Sequence, residues 1–410
     1  MINQNKLWRK PVLLAGLALG ALAFSCQPQD DSPLSPDTVE YIGFKSGDII
    51  PGKYIVTMQP TGLNFRKDMS YDAVQAAMRK TGSELLAKYR IAEENIGYVY
   101  GSSIEGFSVT LTDEQAELIA KDPSIKAIEP DRVIALAPPG GRPGNGGGGG
   151  GGSAAQQTPY GITRVGGGQT YTGTNVAYII DSGIDSSHPD LNVDASLGFN
   201  AFSSGKDSDL SQDGNGHGTH VAGTVAAINN SIGVVGVAAG ATVVPVKVLN
   251  SRGSGSYSGV IAGVDFVKAN ANNGDVANMS LGGPVSQALD NAVIAMAASG
   301  VKVALAAGNE SDDANNHSPA RAEHGNIYTI SAVNSSDVYA SFSNYGNPPI
   351  DFAAPGVGVL STVPGGYASY SGTSMASPHV CGLLLWGTPR AGGAVIGDPD
   401  NDEVDQIAVR

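Results

Sequence analysis

The amino-acid sequence predicts an α/β fold: a three-layer, mostly parallel sheet with helices on both faces, preceded by a small α+β domain. Four largely apolar runs predict strands, at residues 176–180, 243–249, 277–280 and 301–306. Two helix-length patterns lie among them, at residues 258–271 and 285–299. Strands that are apolar on both faces and alternate with helices are typical of a parallel sheet that is buried on both sides.

A glycine-rich segment separates the two predicted domains. Residues 138–152 read PPGGRPGNGGGGGGG. Such a segment cannot bury apolar surface, and its glycines lose much conformational entropy when they become ordered. We therefore expect a linker over residues 138–154, between one folded unit at residues 45–137 and a second at residues 155–410.

The first residues indicate export. Lys6, Arg9 and Lys10 precede an apolar run at residues 11–25, which is too short for a permanent membrane-spanning helix. This arrangement is typical of a signal peptide, which we place at residues 1–26. A secreted or cell-surface location follows.

Cys26 comes directly after the apolar run. Residues 22–26, LAFSC, resemble a bacterial lipobox, in which the cysteine carries the lipid, and a tether at residues 27–44 would follow. A simple cleaved secretory signal is the alternative. The second and last cysteine is Cys381, so a lipid on Cys26 leaves no pair for an internal disulfide.

The composition is acidic, with a formal net charge of -14. Nucleic acid is therefore an unfavourable partner, because its phosphates would repel such a surface. Without disulfides, an exported protein of this size can depend on a large core or on a bound metal ion. Aspartates supply the oxygen ligands that calcium prefers, and we expect calcium here. We expect a monomer that contacts a membrane only through lipid on Cys26.

The N-terminal unit combines strand and helix patterns. Strand signals lie at residues 54–56 and 108–111, a helix pattern spans residues 71–89, and a further helix is capped by Thr112 or Asp113. These patterns predict a small α+β domain. Taken alone, they fit a generic ferredoxin-like domain equally well.

Three segments of the second unit carry candidate catalytic groups. Asp181 directly follows the run at residues 176–180, and chemistry gathers at the carboxyl ends of strands in such sheets. His217 begins a predicted helix in GHGTHVAG. Ser374 lies at the start of another helix in GTSMASPH, where backbone N–H groups and the helix dipole face developing negative charge.

These segments, in the order Asp, His, Ser, resemble the three signature motifs of the subtilisin family over about residues 155–385. Residues 52–56 and 128–131 of the N-terminal unit resemble the propeptide inhibitor domain that precedes subtilisins. The resemblance implies a subtilisin-like fold and a secreted serine endopeptidase. Such an enzyme hydrolyses polypeptides through an acyl-enzyme and is made as a self-processing zymogen whose propeptide acts as inhibitor and chaperone. Chymotrypsin-like and α/β-hydrolase triads run in other orders.

The resemblance also implies a role for each catalytic residue. His217 would take the hydroxyl proton of Ser374, and Asp181 would orient the imidazole. Asn309, in the segment AAGN, would donate to the oxyanion together with the backbone N–H of Ser374. We expect His220 to be a packed, hydrogen-bonded histidine.

Glycine-rich edges can pair with an extended peptide. By resemblance, the wall of the primary specificity pocket is formed by Ser280, Leu281, Gly282 and Gly283. The subsite for the fourth residue upstream of cleavage would be formed by Gly253 and Gly255, with Tyr257 at its mouth. Pocket walls built from small residues leave room for large, uncharged substrate side chains. His317 aligns near the base of the primary pocket, where the family often has glycine, and could narrow or polarise it.

Residues 228–234, INNSIGV, resemble the calcium loop of the family. The implied ligands are side-chain oxygens of Gln156, Asp190 and Asn230 and carbonyl oxygens of Ile228, Ile232 and Val234. Six oxygen ligands suit calcium rather than zinc. An ordinary asparagine-rich turn within a helix is the alternative.

The resemblance weakens beyond residue 380, which indicates an atypical short C-terminus. Asp398, Asp400 and Asp402 alternate like cation ligands, but we favour a solvated, disordered tail. Two other functions stay open: a catalytically silent surface-binding protein on the same fold, and a narrow protease that matures itself or one partner.

Overall fold

The computed structural model describes residues 44–61, 69–136, 155–400 and 403–410. The predicted signal peptide at residues 1–26, the lipid on Cys26, the tether at residues 27–44 apart from Phe44, and the linker at residues 138–154 lie outside the described residues. Within the described ranges, no helix has the length and apolar character needed to span a membrane.

The N-terminal unit is an antiparallel sheet covered by two helices. Its elements are β1 (Ile49–Met58), α1 (Tyr71–Lys88), β2 (Ile96–Tyr100), β3 (Gly106–Thr110), α2 (Asp113–Ile119) and β4 (Ile125–Ala135). Strand β1 lies between β3 and β4. Val56, Met78 and Phe107 fill a shared core. Thr112, not Asp113, caps α2, and its side chain accepts from Gln115 N in a capping box.

The second unit contains the remaining elements. The first of them are α3 (Tyr160–Arg164), β5 (Gln169–Thr170), β6 (Ala177–Asp181), β7 (Phe199–Asn200), α4 (His217–Ala226), β8 (Ala238–Ala239), β9 (Val243–Lys247), β10 (Ser254–Ser256), α5 (Tyr257–Asn270) and β11 (Val276–Met279). Then come β12 (Gly283–Pro284), α6 (Gln287–Ala298), β13 (Lys302–Ala306), β14 (His317–Ser318), β15 (Ile327–Val333), β16 (Ile350–Pro355), β17 (Val359–Val363), β18 (Gly366–Tyr370), α7 (Thr373–Trp386), β19 (Arg390–Ala394) and β20 (Gln406–Val409).

The central sheet has the strand order β19-β20-β16-β15-β13-β11-β6-β9-β7. All pairings are parallel except the one between β19 and β20. Successive side chains of β6 point to opposite faces: Ile179 packs in one core with α4 and α7, and Ile180 in another with α5 and α6. The predicted three-layer α/β fold is thereby confirmed.

The described residues 403–410 end in a strand of the central sheet, so the prediction of a disordered tail is wrong for this part of the chain. Strand β20 extends the sheet beside β16, and Ile407 and Ala408 are fully buried. Asp405 is also buried and accepts hydrogen bonds from the Ser331 hydroxyl and from Asn347 Nδ2. Ile407 and Ala408 therefore bury this strand against the sheet. The acidic residues that precede them in the sequence had indicated a solvated tail instead.

Candidate active site

Asp181 and His217 meet at the carboxyl edge of the sheet. Asp181 is the last residue of β6, and His217 is the first residue of α4. His217 Nδ1 lies 2.9 Å from each carboxylate oxygen of Asp181, and both side chains are buried. Burial lowers the pKa of His217, but the charge and hydrogen bond of Asp181 outweigh it, so the pKa is raised overall.

A glycine permits this close approach of α4 to β6. A Cβ at Gly218 would lie 2.2 Å from the carbonyl oxygen of Gly183 and 3.2 Å from Cβ of Asp181. Any larger residue would push the start of α4 away from the strand, which explains the glycine at position 218.

Ser374 is the second residue of α7, which packs between the sheet and α4. Its hydroxyl donates to the carbonyl oxygen of Ser280 at 3.1 Å, and the Ser280 hydroxyl donates to the carbonyl oxygen of Ser374 at 2.8 Å. The Ser377 hydroxyl donates to Asn278 Oδ1 at 2.8 Å. The start of α7 is therefore attached to the end of β11, the strand that pairs with β6.

Asn309 lies three residues beyond the end of β13. Its Oδ1 accepts from the backbone N–H of Thr373 at 2.8 Å and from the Thr373 hydroxyl at 3.1 Å. These bonds hold the amide oxygen against α7, which leaves the amide nitrogen as the end that can donate to a substrate. Sequence reasoning missed Thr373, although it directly precedes Ser374.

A cleft of about 350 Å³ runs along these residues. Its lining includes Ser374, Asn309, the predicted wall Ser280, Leu281, Gly282 and Gly283, and also Glu310 and His317. His317 Nε2 lies 3.2 Å from Asp312 Oδ2, and its Nδ1 lies 3.8 Å from Glu310 Oε2. The cleft wall is therefore polar at His317.

The end of the N-terminal unit lies in this cleft. Strand β10 pairs antiparallel with β4, with Gly255 opposite Ile134 and Ser254 opposite Ala135. The backbone N–H of Leu136 donates to the carbonyl oxygen of Gly253 at 2.9 Å. The glycine-rich edge thus binds an extended segment of the same chain by strand addition.

Tyr257, predicted at the mouth of a subsite, is covered by the docked end of the N-terminal unit. The side chain is fully buried, and its hydroxyl donates to the carbonyl oxygen of Pro284 at 2.7 Å. Its ring shares an apolar core with Ile134 of β4 and Ile104 of the N-terminal unit. Tyr257 therefore forms part of the floor beneath β4, because the apolar ring packs inward.

Two acidic residues of β4 cap helices of the second unit. Glu129 accepts from the Ser286 hydroxyl and from Ala288 N, both at 2.9 Å, at the start of α6. Asp131 accepts from Ser258 N at 3.1 Å and from its hydroxyl at 2.5 Å, at the start of α5. Burial raises the pKa of Asp131 to about 6. Sequence reasoning included these acids in a motif but gave them no role.

Three side chains of the predicted calcium loop come together. Asp190 Oδ1 accepts from Asn230 Nδ2 at 2.7 Å, and Gln156 Oε1 accepts from Asn230 N at 2.6 Å. Asp190 Oδ2 accepts from Val234 N at 3.0 Å, and the carbonyls of Ile228, Ile232 and Val234 belong to the same loop.

The chemistry of this set fits calcium. Asp190 is fully buried, and the donors that contact its carboxylate are the neutral groups of Asn230, Val234 and Tyr367. Burial raises the pKa of Asp190, because the ionised carboxylate is costly to bury without a positive charge beside it. A bound calcium ion would supply that charge. Among the described residues, no group of three or more His, Cys, Asp or Glu side chains could hold a metal. The ligands would thus be largely amide and carbonyl oxygens.

Known proteins resemble two parts of this chain. Residues 172–386 match the model of the Subtilase family, and residues 53–137 match that of Peptidase inhibitor I9. Subtilisin NAT of Bacillus subtilis subsp. natto is 44% identical over 287 residues, which cover 68% of this chain and 69% of that protein. Alkaline serine exoprotease A of Vibrio alginolyticus is 38% identical over 383 residues, which cover 88% and 66%.

A solved structure is also similar, described as "Crystal structure of a cold adapted subtilisin-like serine proteinase". It is 42% identical, with 55% of this chain and 84% of that chain covered and a TM-score of 0.47.

Proposed function

This chain belongs to the subtilase family of serine endopeptidases, and on that premise we propose that Asp181, His217 and Ser374 form its catalytic triad. The observation that carries the proposal is the contact of His217 Nδ1 with both carboxylate oxygens of Asp181, at the head of the helix that packs against α7. This contact leaves His217 Nε2 as the nitrogen that can accept a proton.

The proposed reaction is acyl transfer. The Ser374 hydroxyl turns from the Ser280 carbonyl oxygen to His217 Nε2, which takes its proton while Oγ attacks a peptide carbonyl. Asp181 holds the imidazole in the required tautomer and stabilises the imidazolium. The imidazolium then protonates the leaving amine, and water hydrolyses the acyl-enzyme.

Asn309 is proposed as the side-chain donor to the oxyanion, beside the backbone N–H of Ser374. Its support is the pair of hydrogen bonds from Thr373, which fix the amide before substrate binds. A donor that is already oriented needs no reorganisation during the reaction, and such donors provide a large part of transition-state stabilisation.

Polypeptide substrates are proposed to bind as β4 does, by pairing with Gly253 and Gly255. Ser280, Leu281, Gly282 and Gly283 would form the wall beside the reacting carbonyl. In the precursor, the propeptide occupies this place, and the caps that Glu129 and Asp131 provide hold it there. We therefore propose an intramolecular inhibitor at residues 45–137, a linker at residues 138–154 and a catalytic domain at residues 155–410.

Calcium is the proposed cofactor, and its role is to stabilise the fold. Gln156, Asp190 and Asn230 would hold it with their side-chain oxygens, and Ile228, Ile232 and Val234 with their carbonyls. The ion would supply a positive charge next to the buried carboxylate of Asp190.

The first test is casein hydrolysis by the processed wild-type enzyme and by Ser374→Ala. We expect hydrolysis by the wild type, its loss in the variant, and inhibition by a serine-reactive phosphonyl fluoride. A silent binding protein would hydrolyse nothing, and a narrow maturase would process itself but leave casein intact. Either result would reject the proposed general endopeptidase.

The same two proteins test self-processing and the proposed lipid on Cys26. The wild type should release a soluble fragment without the propeptide, while Ser374→Ala should stay full length and membrane-bound. Equal membrane association of both proteins would contradict release by self-cleavage.

A further inference from the structure

A second buried carboxylate lies close to His217. Asp213 belongs to the loop before α4 and is 5% exposed. Its Oδ1 accepts from the Ser182 hydroxyl at 2.9 Å and from Gly216 N at 2.8 Å. Its Oδ2 accepts from Thr219 N at 2.9 Å and from the Thr219 hydroxyl at 2.7 Å. Both oxygens are therefore fully engaged.

These donors surround the catalytic pair. Ser182 directly follows Asp181, while Gly216 and Thr219 lie on either side of His217 in the sequence. The Ser182 hydroxyl also accepts from Gly218 N at 3.0 Å. One carboxylate thus connects the end of β6, which carries Asp181, to the first turn of α4, which carries His217.

The first turn of α4 lacks an ordinary cap. Its N-cap residue is Gly216, which has no side chain to accept from the first backbone N–H groups. Asp213 accepts from Gly216 N and Thr219 N instead. Hydrogen bonds to an ionised acceptor are roughly twice as strong as neutral ones, so this carboxylate holds the helix start firmly.

We propose that Asp213 is a positioning residue for the reaction: it fixes the imidazole of His217 against Asp181 by joining α4 to β6. The inference rests on the proposed function, because it concerns the base of that reaction. The hydrogen bonds that Asp213 accepts come from backbone N–H groups and hydroxyls of Ser182, Asn215, Gly216 and Thr219, so Asp213 acts through the position of His217.

The pKa of His217 depends on the charges around it. The pH profile of the reaction can therefore distinguish a positioning role of Asp213 from a purely structural one. The titratable groups on the elements packed around it include Asp181 on β6, Asp213, His220 on α4, Lys247 on β9, Tyr370 on β18 and His379 on α7. Burial lowers the pKa of His220 to about 3, so this ring stays neutral at ordinary pH. Asp213 adds to Asp181 in raising the pKa of His217, and its removal should lower that pKa.

The test is Asp213→Asn in the processed enzyme, with hydrolysis of a peptide anilide followed against pH. An amide cannot accept at both ends, so the bonds to Thr219 or to Ser182 and Gly216 are lost. We expect kcat to fall about 100-fold, as for a misplaced catalytic group, with KM nearly unchanged. The acid limb of the kcat/KM profile should move to lower pH.

Asp209→Asn is the matched control. Asp209 lies in the same loop, is exposed, and accepts from the backbone and hydroxyl of Ser211. It should leave both kcat and the acid limb unchanged. A normal kcat for Asp213→Asn, or a change confined to thermal stability, would overturn the proposal.

Ser182→Ala keeps the proposal testable if Asp213→Asn does not fold. It removes one link between β6 and α4 but leaves the charge of Asp213. We expect a reduced kcat with an unmoved acid limb, and an unchanged kcat would overturn the proposal. Lack of hydrolysis by the wild type would instead reject the proposed function itself.

Discussion

His217 and His220 lie one helical turn apart on α4, yet their surroundings give them different chemistry. His217 faces a carboxylate, which raises its pKa. His220 stacks on Tyr370 at 4.4 Å between ring centroids, and its Nε2 contacts the carbonyl oxygens of Val359 and Ala368. His220 is therefore a neutral packing residue, as expected from the sequence, and His217 alone of the two can act as a base near neutral pH.

His317 is a single side chain in the wall of the predicted primary specificity pocket. Its imidazole lines the cleft beside Ser374, backed by Asp312 and Glu310. His317→Gly should admit larger aromatic side chains at the residue before the cleaved bond. We expect the ratio of kcat/KM for phenylalanine over alanine substrates to rise about 10-fold, the effect of a few added apolar contacts.

The control for this prediction is His324→Gly, since His324 is exposed and lies outside the cleft lining. It should keep the wild-type ratio. If His317→Gly also keeps that ratio, His317 does not limit the pocket.

At the scale of elements, β4 joins the two units through two carboxylates at helix starts. The buried Asp131 has a pKa of about 6, above its ordinary 3.8. The docked state therefore binds a proton between about pH 4 and pH 6 that the separated state releases. The contribution of Asp131 to docking thus weakens as pH rises through this window and is constant above it.

Asp131→Asn should remove this dependence, because an amide does not titrate. The comparison is between the Ser374→Ala precursor and the double variant Asp131→Asn, Ser374→Ala. As pH rises from about 4 to about 6, we expect the Tm of the first to fall by a few degrees more than the Tm of the second. Differential scanning calorimetry at several pH values measures the difference. A difference that is constant with pH would contradict the raised pKa.

Strand β20 gives a second prediction at this scale. Ile407 is fully buried beside β16, whereas Val404, just before the strand, is 45% exposed. Ile407→Ala should cost about 2–5 kcal/mol of unfolding free energy, the usual loss for a buried aliphatic side chain. Val404→Ala should change stability by less than about 0.5 kcal/mol. Equal effects, measured by thermal unfolding, would mean that β20 adds little to the core.

For the whole molecule, calcium would link residues that are far apart in the sequence. Gln156, Asp190 and Asn230 belong to three separate segments, so an ion bound to all three would favour the folded state. With free calcium at about 100 times its Kd, the gain is about 2.7 kcal/mol, or about 5–10 °C in Tm.

Chelation should therefore lower the Tm of the Ser374→Ala protein, in which self-digestion is excluded. Asp190→Asn should remove most of the calcium dependence, while Asp209→Asn, at an exposed carboxylate, should retain it. A Tm that is identical in calcium and in chelator would contradict a calcium site. This readout does not depend on activity.

Much of the architecture could be predicted because its signals are local. Apolar runs that alternate with helix patterns were sufficient for the parallel sheet, and the predicted run at residues 176–180 became β6, which ends at Asp181. The edge strand β20 could not be predicted, since only two of its side chains are buried and its neighbours in the sequence are acidic. Its stability depends on β16, which lies some fifty residues earlier.

The sequence by itself determined the fold class, the order of the candidate catalytic residues and the glycine-rich edge for an extended peptide, because spacing and residue type carry that information. Only the tertiary structure decided which groups hold these residues in place. Thr373 donates to the Asn309 amide, Asp213 accepts from the start of α4, and Glu129 and Asp131 accept from the starts of α6 and α5. The physical reason is that hydrogen-bond acceptors are chosen by distance in space. A buried carboxylate binds whichever N–H groups folding brings to it, and no local pattern records their identity.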